Sequence, residues 1–228
     1  MTGLWNLIKR NCKLFFKDKG MFFSSLITPV ILLVLYATFL ASVYRDSFAS
    51  AMPEGFSIDA SLIDATVAAQ LISSLLAVSC VTVAFCSNLL IVQDKITGAR
   101  RDITVSPVKR STLAVSYFCA SAATTLIISF AALAVCLVYL ANAGWYMSCA
   151  DVLCFALDVV LVTLFGVALS SCVNFPLTTQ GQMSAVGTIV SAGYGFLCGA
   201  YMPISNFSEG LQKVMSFLPG TYGTSLIR

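Results

Sequence analysis

The feature that most limits what this chain can fold into is the length of its uncharged apolar runs. Met21–Tyr44 contains no charged side chain. Ala65–Val92 lies between Asp64 and Asp94 without interruption, and another long uncharged stretch follows Arg110. A helix needs about 20 predominantly apolar residues to cross the hydrocarbon core of a bilayer. A soluble domain would also need charge to cover its surface, about 25% of residues in an ordinary case. Here 58% of the 228 residues are hydrophobic and only 10% are charged. The chain is therefore expected to be an all-α polytopic membrane protein.

The runs divide into five expected spans, at 21–44, 65–92, 113–141, 152–173 and 181–201. The third is cut at Asn142–Gly144, and Asn174-Phe175-Pro176 separates the fourth from the fifth. Residues 1–20 place Leu4, Ile8, Cys12 and Phe15 at helical spacing, with Trp5 and Phe16 alongside and Lys9, Arg10, Lys13 and Lys17 elsewhere. This pattern predicts an amphipathic helix in the membrane interface whose lysines reach back to water. The apolar run after it exceeds the roughly 7–15 residues of a cleavable signal, so a retained first span is expected. Residues 45–64 are acidic and turn-rich, and 202–228 carry a short amphipathic run, 208–218, between Pro203 and Pro219.

Orientation follows from the placement of Lys and Arg. Five lie in the N-terminal segment (Lys9, Arg10, Lys13, Lys17, Lys19) and five after the second span (Lys95, Arg100, Arg101, Lys109, Arg110), leaving Arg45, Lys213 and Arg228 for the other side. Cytoplasmic loops carry the excess of basic residues. The N-terminus and the segment 93–112 are thus expected in the cytoplasm, with 45–64 and 202–228 outside, in a cell (plasma or inner) membrane.

Several classes of function are disfavoured. With no His, no catalysis through a histidine base is open to the chain. Its nine cysteines form no C-x-x-C pair and mostly sit within apolar runs, where they read as small hydrophobes rather than metal ligands. No metal site, catalytic group or bound cofactor is expected. No broad basic face with interleaved aromatics points to nucleic acid. No G-x-x-x-x-G-K-[ST] phosphate loop occurs, so any ATP-driven work requires ATP and Mg on a separate ATPase chain.

The segment 93–112 holds the most informative residues. Asp94, Lys95, Arg100, Arg101 and Asp102 alternate in sign, Gly98 permits a break, and Ser106-Pro107 ends any helix because the residue before a proline disfavours the α conformation. A short surface helix followed by a return into the membrane is expected. From the residues alone, a docking contact and a solvated loop both remain open. Small residues recur at every fourth position of the fifth span, Gly187, Ser191, Gly195 and Gly199, a spacing that lets helix backbones approach closely in lipid. Such a face suits either a dimer interface or tight packing within one chain. Asp158 is an intramembrane polar residue, expected to face protein or a water-filled cavity. Either a structural role or substrate and proton handling would suit it. Asn174, Thr178, Thr179, Gln180 and Gln182 cluster at the hinge before the fifth span.

The segment Asp94-Lys95-x-x-Gly98, followed by Thr104-Val105-Ser106-Pro107-Val108, resembles the cytoplasmic segment of ABC-2 exporter permeases. Gly195-Phe196-Leu197-Cys198-Gly199-Ala200-Tyr201-Met202-Pro203 is similar to that family's fifth-span ending, and Phe217-Leu218-Pro219-Gly220-Thr221-Tyr222 to the element before its last span. The N-terminal helix agrees with its connector helix, so the resemblance runs along essentially the whole chain. Where the family usually starts the segment with a Glu–Arg–Glu-like element, this chain has Gln93-Asp94-Lys95. The family has six spans, whereas five are read here before Arg228, so a sixth is expected to be missing from this sequence. The resemblance implies a permease subunit that dimerises with itself or a related chain. It also implies that a separate ABC ATPase is engaged through Asp94, Lys95, Gly98, Arg100, Arg101, Asp102, Ser106 and Pro107. An amphipathic, lipid-like, drug or polymer substrate would then move outward. The rival readings are a non-transporting immunity or assembly protein and a secondary transporter driven by an ion gradient.

Overall fold

The computed structural model describes residues 2–36, 60–106, 108–143 and 148–197, with isolated positions at 38, 42, 208, 210, 212 and 213. Among these residues every regular element is an α-helix: α1 (Thr2–Lys17), α2 (Lys19–Leu35), α3 (Ala60–Asn88), α4 (Leu90–Ile96), α5 (Ala99–Val105), α6 (Arg110–Ala143), α7 (Cys149–Asn174) and α8 (Gln180–Leu197). The all-α polytopic expectation holds.

Three stretches are individually long and apolar enough to cross a bilayer: Thr66–Ile96, Arg110–Ala141 and Ala150–Asn174. The pair α1 and α2 meets the same standard only when taken together, across a bend of 73°. Asp18 makes that bend. Its extended backbone (φ −77°, ψ 97°) stops α1, and its Oδ1 accepts from the N–H groups of Gly20 at 3.0 Å and Met21 at 3.2 Å. A carboxylate there satisfies backbone donors that have no partner within the helix. The expected first and fifth spans extend past α2 and α8 into residues outside those described.

Helix α3 occupies the centre, packed against α2, α6, α7 and α8. Its apolar residues Ile72, Leu75, Leu76, Val78, Val81 and Phe85 are all buried, with Leu133, Cys136 and Leu140 of α6 and Val159 and Val162 of α7 against them. The outer helices turn apolar side chains the other way. Leu153, Leu157, Leu161 and Leu164 form an exposed stripe along α7, and Ile127, Val135 and Val138 do so on α6. In water such stripes would be a liability, whereas lipid tails cover them without cost.

The interior is partly polar, since Ser73, Ser74, Ser79, Thr82, Ser87, Asn88, Ser121, Thr124, Thr125, Thr163 and Ser170 are buried. Hydrocarbon supplies no hydrogen bonds, so most of these hydroxyls return to a carbonyl one turn back, as Thr82 does to Val78 at 3.0 Å and Ser170 to Val167 at 3.0 Å. Others bridge helices, Ser87 to Thr125 at 2.8 Å between α3 and α6. Gly166 sets the α3–α7 spacing. A Cβ there would lie 3.1 Å from Val81 Cα and 3.2 Å from Ala84 Cβ. This is a close backbone approach of the kind that small residues allow in membranes.

Candidate functional site

At one end of the bundle the segment 93–106 is built as two short helices rather than one. Helix α3 breaks at Leu89, α4 continues to Ile96, and Gly98 then turns the chain with φ +82° and ψ −9°. That left-handed conformation disfavours any residue with a Cβ. The Gly98 carbonyl accepts from Arg101 N at 2.8 Å and starts α5. Ser106 ends α5 with an extended backbone (φ −73°, ψ 157°), its hydroxyl turned back to the Ile103 carbonyl at 2.6 Å. The expected surface helix and its stop are both present, and Pro107 itself lies outside the described residues.

Three consecutive α4 side chains reach three different parts of the fold. Gln93 Nε2 donates to Asp18 Oδ2 at 3.3 Å, so the carboxylate that caps α2 also holds α4. Asp94 is buried and accepts from Arg10 on α1 through two nitrogens, Nη1 at 2.8 Å and Nη2 at 3.3 Å. Tyr117 of α6 donates its hydroxyl to the same carboxylate at 2.5 Å. A two-pronged guanidinium–carboxylate contact fixes orientation as well as distance. Lys95 Nζ donates to the Phe175 and Leu177 carbonyls in the α7–α8 turn, the second at 2.8 Å. Around these contacts Leu90, Ile91, Leu113 and Tyr117 form a small apolar core, with Leu7 and Leu14 of α1, Met21 of α2 and Ile103 of α5 packed on it.

One turn deeper, Asn88 ties three helices together. Its Nδ2 donates to Ser170 Oγ at 2.9 Å and Ser171 Oγ at 2.8 Å on α7, and its Oδ1 accepts from Ser121 of α6 at 3.1 Å. Sequence reasoning missed Asn88, Gln93, Arg10 and Tyr117. An Asn inside an apolar run was the available signal for the first. Nothing in the spacing of Arg10 and Asp94 announced their meeting.

Helix α5 differs in kind, with no buried residue along its length. Arg100 turns back over the Phe175 ring, 5.5 Å from its centroid, with Lys95 at 5.3 Å from the same ring. Arg101, Asp102 and Val105 are exposed, and Val105 shows 84% of its surface. The residues expected to act together thus fall into two groups. Asp94, Lys95 and Arg100 face the protein, while Arg101, Asp102 and Ser106 face outward.

Asp158 is buried on the face of α7 that carries Val159 and Val162. A Cβ placed at Gly187 meets nothing within 4 Å, unlike Gly166. Gly195 is buried, while the Ser191 side chain and Gly199 lie outside the described residues. The polar cluster before α8 is a helix start: Thr179 Oγ1 accepts from Gln182 N at 3.3 Å, and Gln182 Oε1 accepts from Thr178 N at 3.0 Å and Thr179 N at 3.3 Å. This reciprocal cap accounts for Thr179 and Gln182. Among the described residues no group of His, Cys, Asp or Glu could hold a metal ion.

No curated protein and no solved structure matches the chain. The sequence does match the ABC-2 type transporter family over residues 2–228, nearly its full length. Together with the span-length apolar helices, this match makes the chain a member of the ABC-2 type transporter family, a membrane permease of the ABC type.

Proposed function

We propose that the chain is the permease subunit of an ATP-driven exporter that carries an amphipathic, lipid-like, drug or polymer substrate outward across the cell membrane. It would work as a dimer with a separate ABC ATPase on the side of α5, which the distribution of Lys and Arg assigns to the cytoplasm. The chain performs no bond chemistry. ATP and Mg are held by the partner.

The observation that carries this reading is the division between α4 and α5. Helix α5 offers an outward face of Arg101, Asp102 and an exposed Val105, a surface with opposite charges and one apolar contact. Directly before it, Gln93, Asp94 and Lys95 grip the α1–α2 elbow, α1 with α6, and the α7–α8 turn. A push on α5 therefore reaches three separate parts of the bundle through one turn of helix. Packed elements tend to switch between discrete arrangements rather than deform smoothly, so a small displacement at α5 suffices to re-seat whole helices. In this reading Asp94, Lys95, Gly98 and Arg100 transmit, and Arg101, Asp102, Ser106 and Pro107 present the contact. The small residues Gly187, Ser191, Gly195 and Gly199 serve the dimer, a reading supported at Gly187, where a Cβ would meet nothing within 4 Å.

The test is co-purification with the ATPase. The double variant Arg101→Glu/Val105→Asp is expected to leave the permease folded in the membrane and to abolish its association with the ATPase. Retained association, with ATP-dependent transport intact, overturns the assignment of α5.

A further inference from the structure

A cleft of about 730 Å³ opens at the same end of the bundle, between α4, α5, the first turns of α6 and the end of α7. Its wall is apolar, with Ile91, Leu113, Val115 and Phe118 among the lining side chains, and Arg100 and Arg110 stand in it with no Asp or Glu in the lining. Neither guanidinium has a carboxylate partner among the described residues, where the ion pair present is Arg10–Asp94. Arg110 is the first residue of the span-length apolar helix Arg110–Ala141, so the cleft sits at the end of that span. Val115, one turn deeper, is 46% exposed, which leaves the apolar wall open to lipid.

We infer that this cleft holds one anionic phospholipid from the adjacent leaflet, its phosphate between Arg100 and Arg110 and its upper acyl chain along the α6 wall. Arg100 is half-buried over the Phe175 ring and Arg110 is exposed, neither facing a carboxylate among the described residues, and basic pockets between spans are suited to acidic headgroups. The apolar wall adds what a free phosphate cannot use. A cleft of this volume is within the range of small-molecule sites, about 300–1,000 Å³. Because Arg100 belongs to α5, an occupied cleft would brace the surface helix against α6. The inference stands apart from the exporter reading, since a resident lipid needs neither ATP nor the ATPase.

The experiment uses the purified full chain in mild detergent, without ATPase, and measures lipid binding by native mass spectrometry. Phosphatidylglycerol is expected to bind and to raise Tm, whereas phosphatidylcholine, glycerol phosphate and inorganic phosphate do not. Arg100→Gln/Arg110→Gln should weaken phosphatidylglycerol binding roughly tenfold to thirtyfold, and the charge-matched control Lys9→Gln/Lys109→Gln should not. Ala114→Trp, which fills the cleft and keeps both arginines, should also remove binding, and it decides the matter if the double variant fails to fold. Equal binding of the two lipids overturns the inference. So does equal binding of inorganic phosphate, or binding that survives Ala114→Trp.

Discussion

Helices α4 and α5 are each seven residues long, adjacent in sequence and similarly charged, yet they do opposite things. Leu90, Ile91, Val92 and Asp94 of α4 are buried, while no residue of α5 is fully buried and Ile103 alone packs on the small apolar core. In α4 the charges are consumed inside the protein: Asp94 by Arg10 and Tyr117, Lys95 by two carbonyls. In α5, Arg101 and Asp102 have no role within the chain that the described contacts reveal. Charge in a loop between spans is therefore not one signal. Part of it closes the bundle and part remains available to a partner, and the hinge at Gly98 separates the two.

The contrast breaks most sharply at Asp94. Asp94→Asn removes the charge facing Arg10, and losing one partner of a buried pair costs about 3–5 kcal/mol when both are fully desolvated. Arg10 keeps about a third of its side chain exposed, so a loss nearer 2–3 kcal/mol is expected. Thermal unfolding of the variant measures it, and a double-mutant cycle with Arg10→Gln should show coupling rather than additivity. Additive effects would remove α4 from its role as a hub. Next is Asn88→Leu, which takes the acceptor from the Ser121 hydroxyl and the amide donor from Ser170 and Ser171, whose hydroxyls keep the Val167 carbonyl. A loss of about 1–3 kcal/mol is expected, read from the same unfolding curves, and an unchanged Tm would count against the three-helix tie.

Gly98→Val tests the hinge between the two helices. A β-branched residue at φ +82° should cost about 1–2 kcal/mol and misdirect α5, lowering ATPase association more than stability. If Gly98→Val and Gly98→Asn behave alike, the left-handed turn is not what matters there, since Asn tolerates it better. The smallest effect on stability belongs to α5 itself. Arg101→Glu/Val105→Asp should change unfolding by no more than about 0.5 kcal/mol while removing the partner contact, which sharpens the distinction from Asp94. Reversing Asp94, Arg100 and Arg101 together would confuse the two, because Asp94 and Arg100 face inward.

Much of the fold was legible because lipid imposes a simple rule. A run without charge long enough to span must be helical, since its backbone has no other partner in hydrocarbon. The break at Gly98 and the stop at Ser106-Pro107 were legible for a local reason, the steric limits of single residues. Asp94 and Lys95 were found as notable charges, but their partners were not. Arg10 and Asp94 are 84 positions apart, and Lys95 and Leu177 are 82 apart. Such pairings depend on which helix faces come together, and the apolar pattern of a membrane helix, greasy on most sides, scarcely encodes facing. For the same reason the close approach at Gly166 was passed over in favour of the more regular glycine spacing in α8, where Gly187 meets no such neighbour.

By itself, then, the sequence determined that the chain crosses a membrane as helices, where its charged segment breaks, and to which family it is similar. Local sterics and the absence of water suffice for those. Only the tertiary structure decided which charges are locked inside and which remain outside. That sorting is made by long-range contacts between helix faces, where burial and partner geometry outweigh the identity of any one residue.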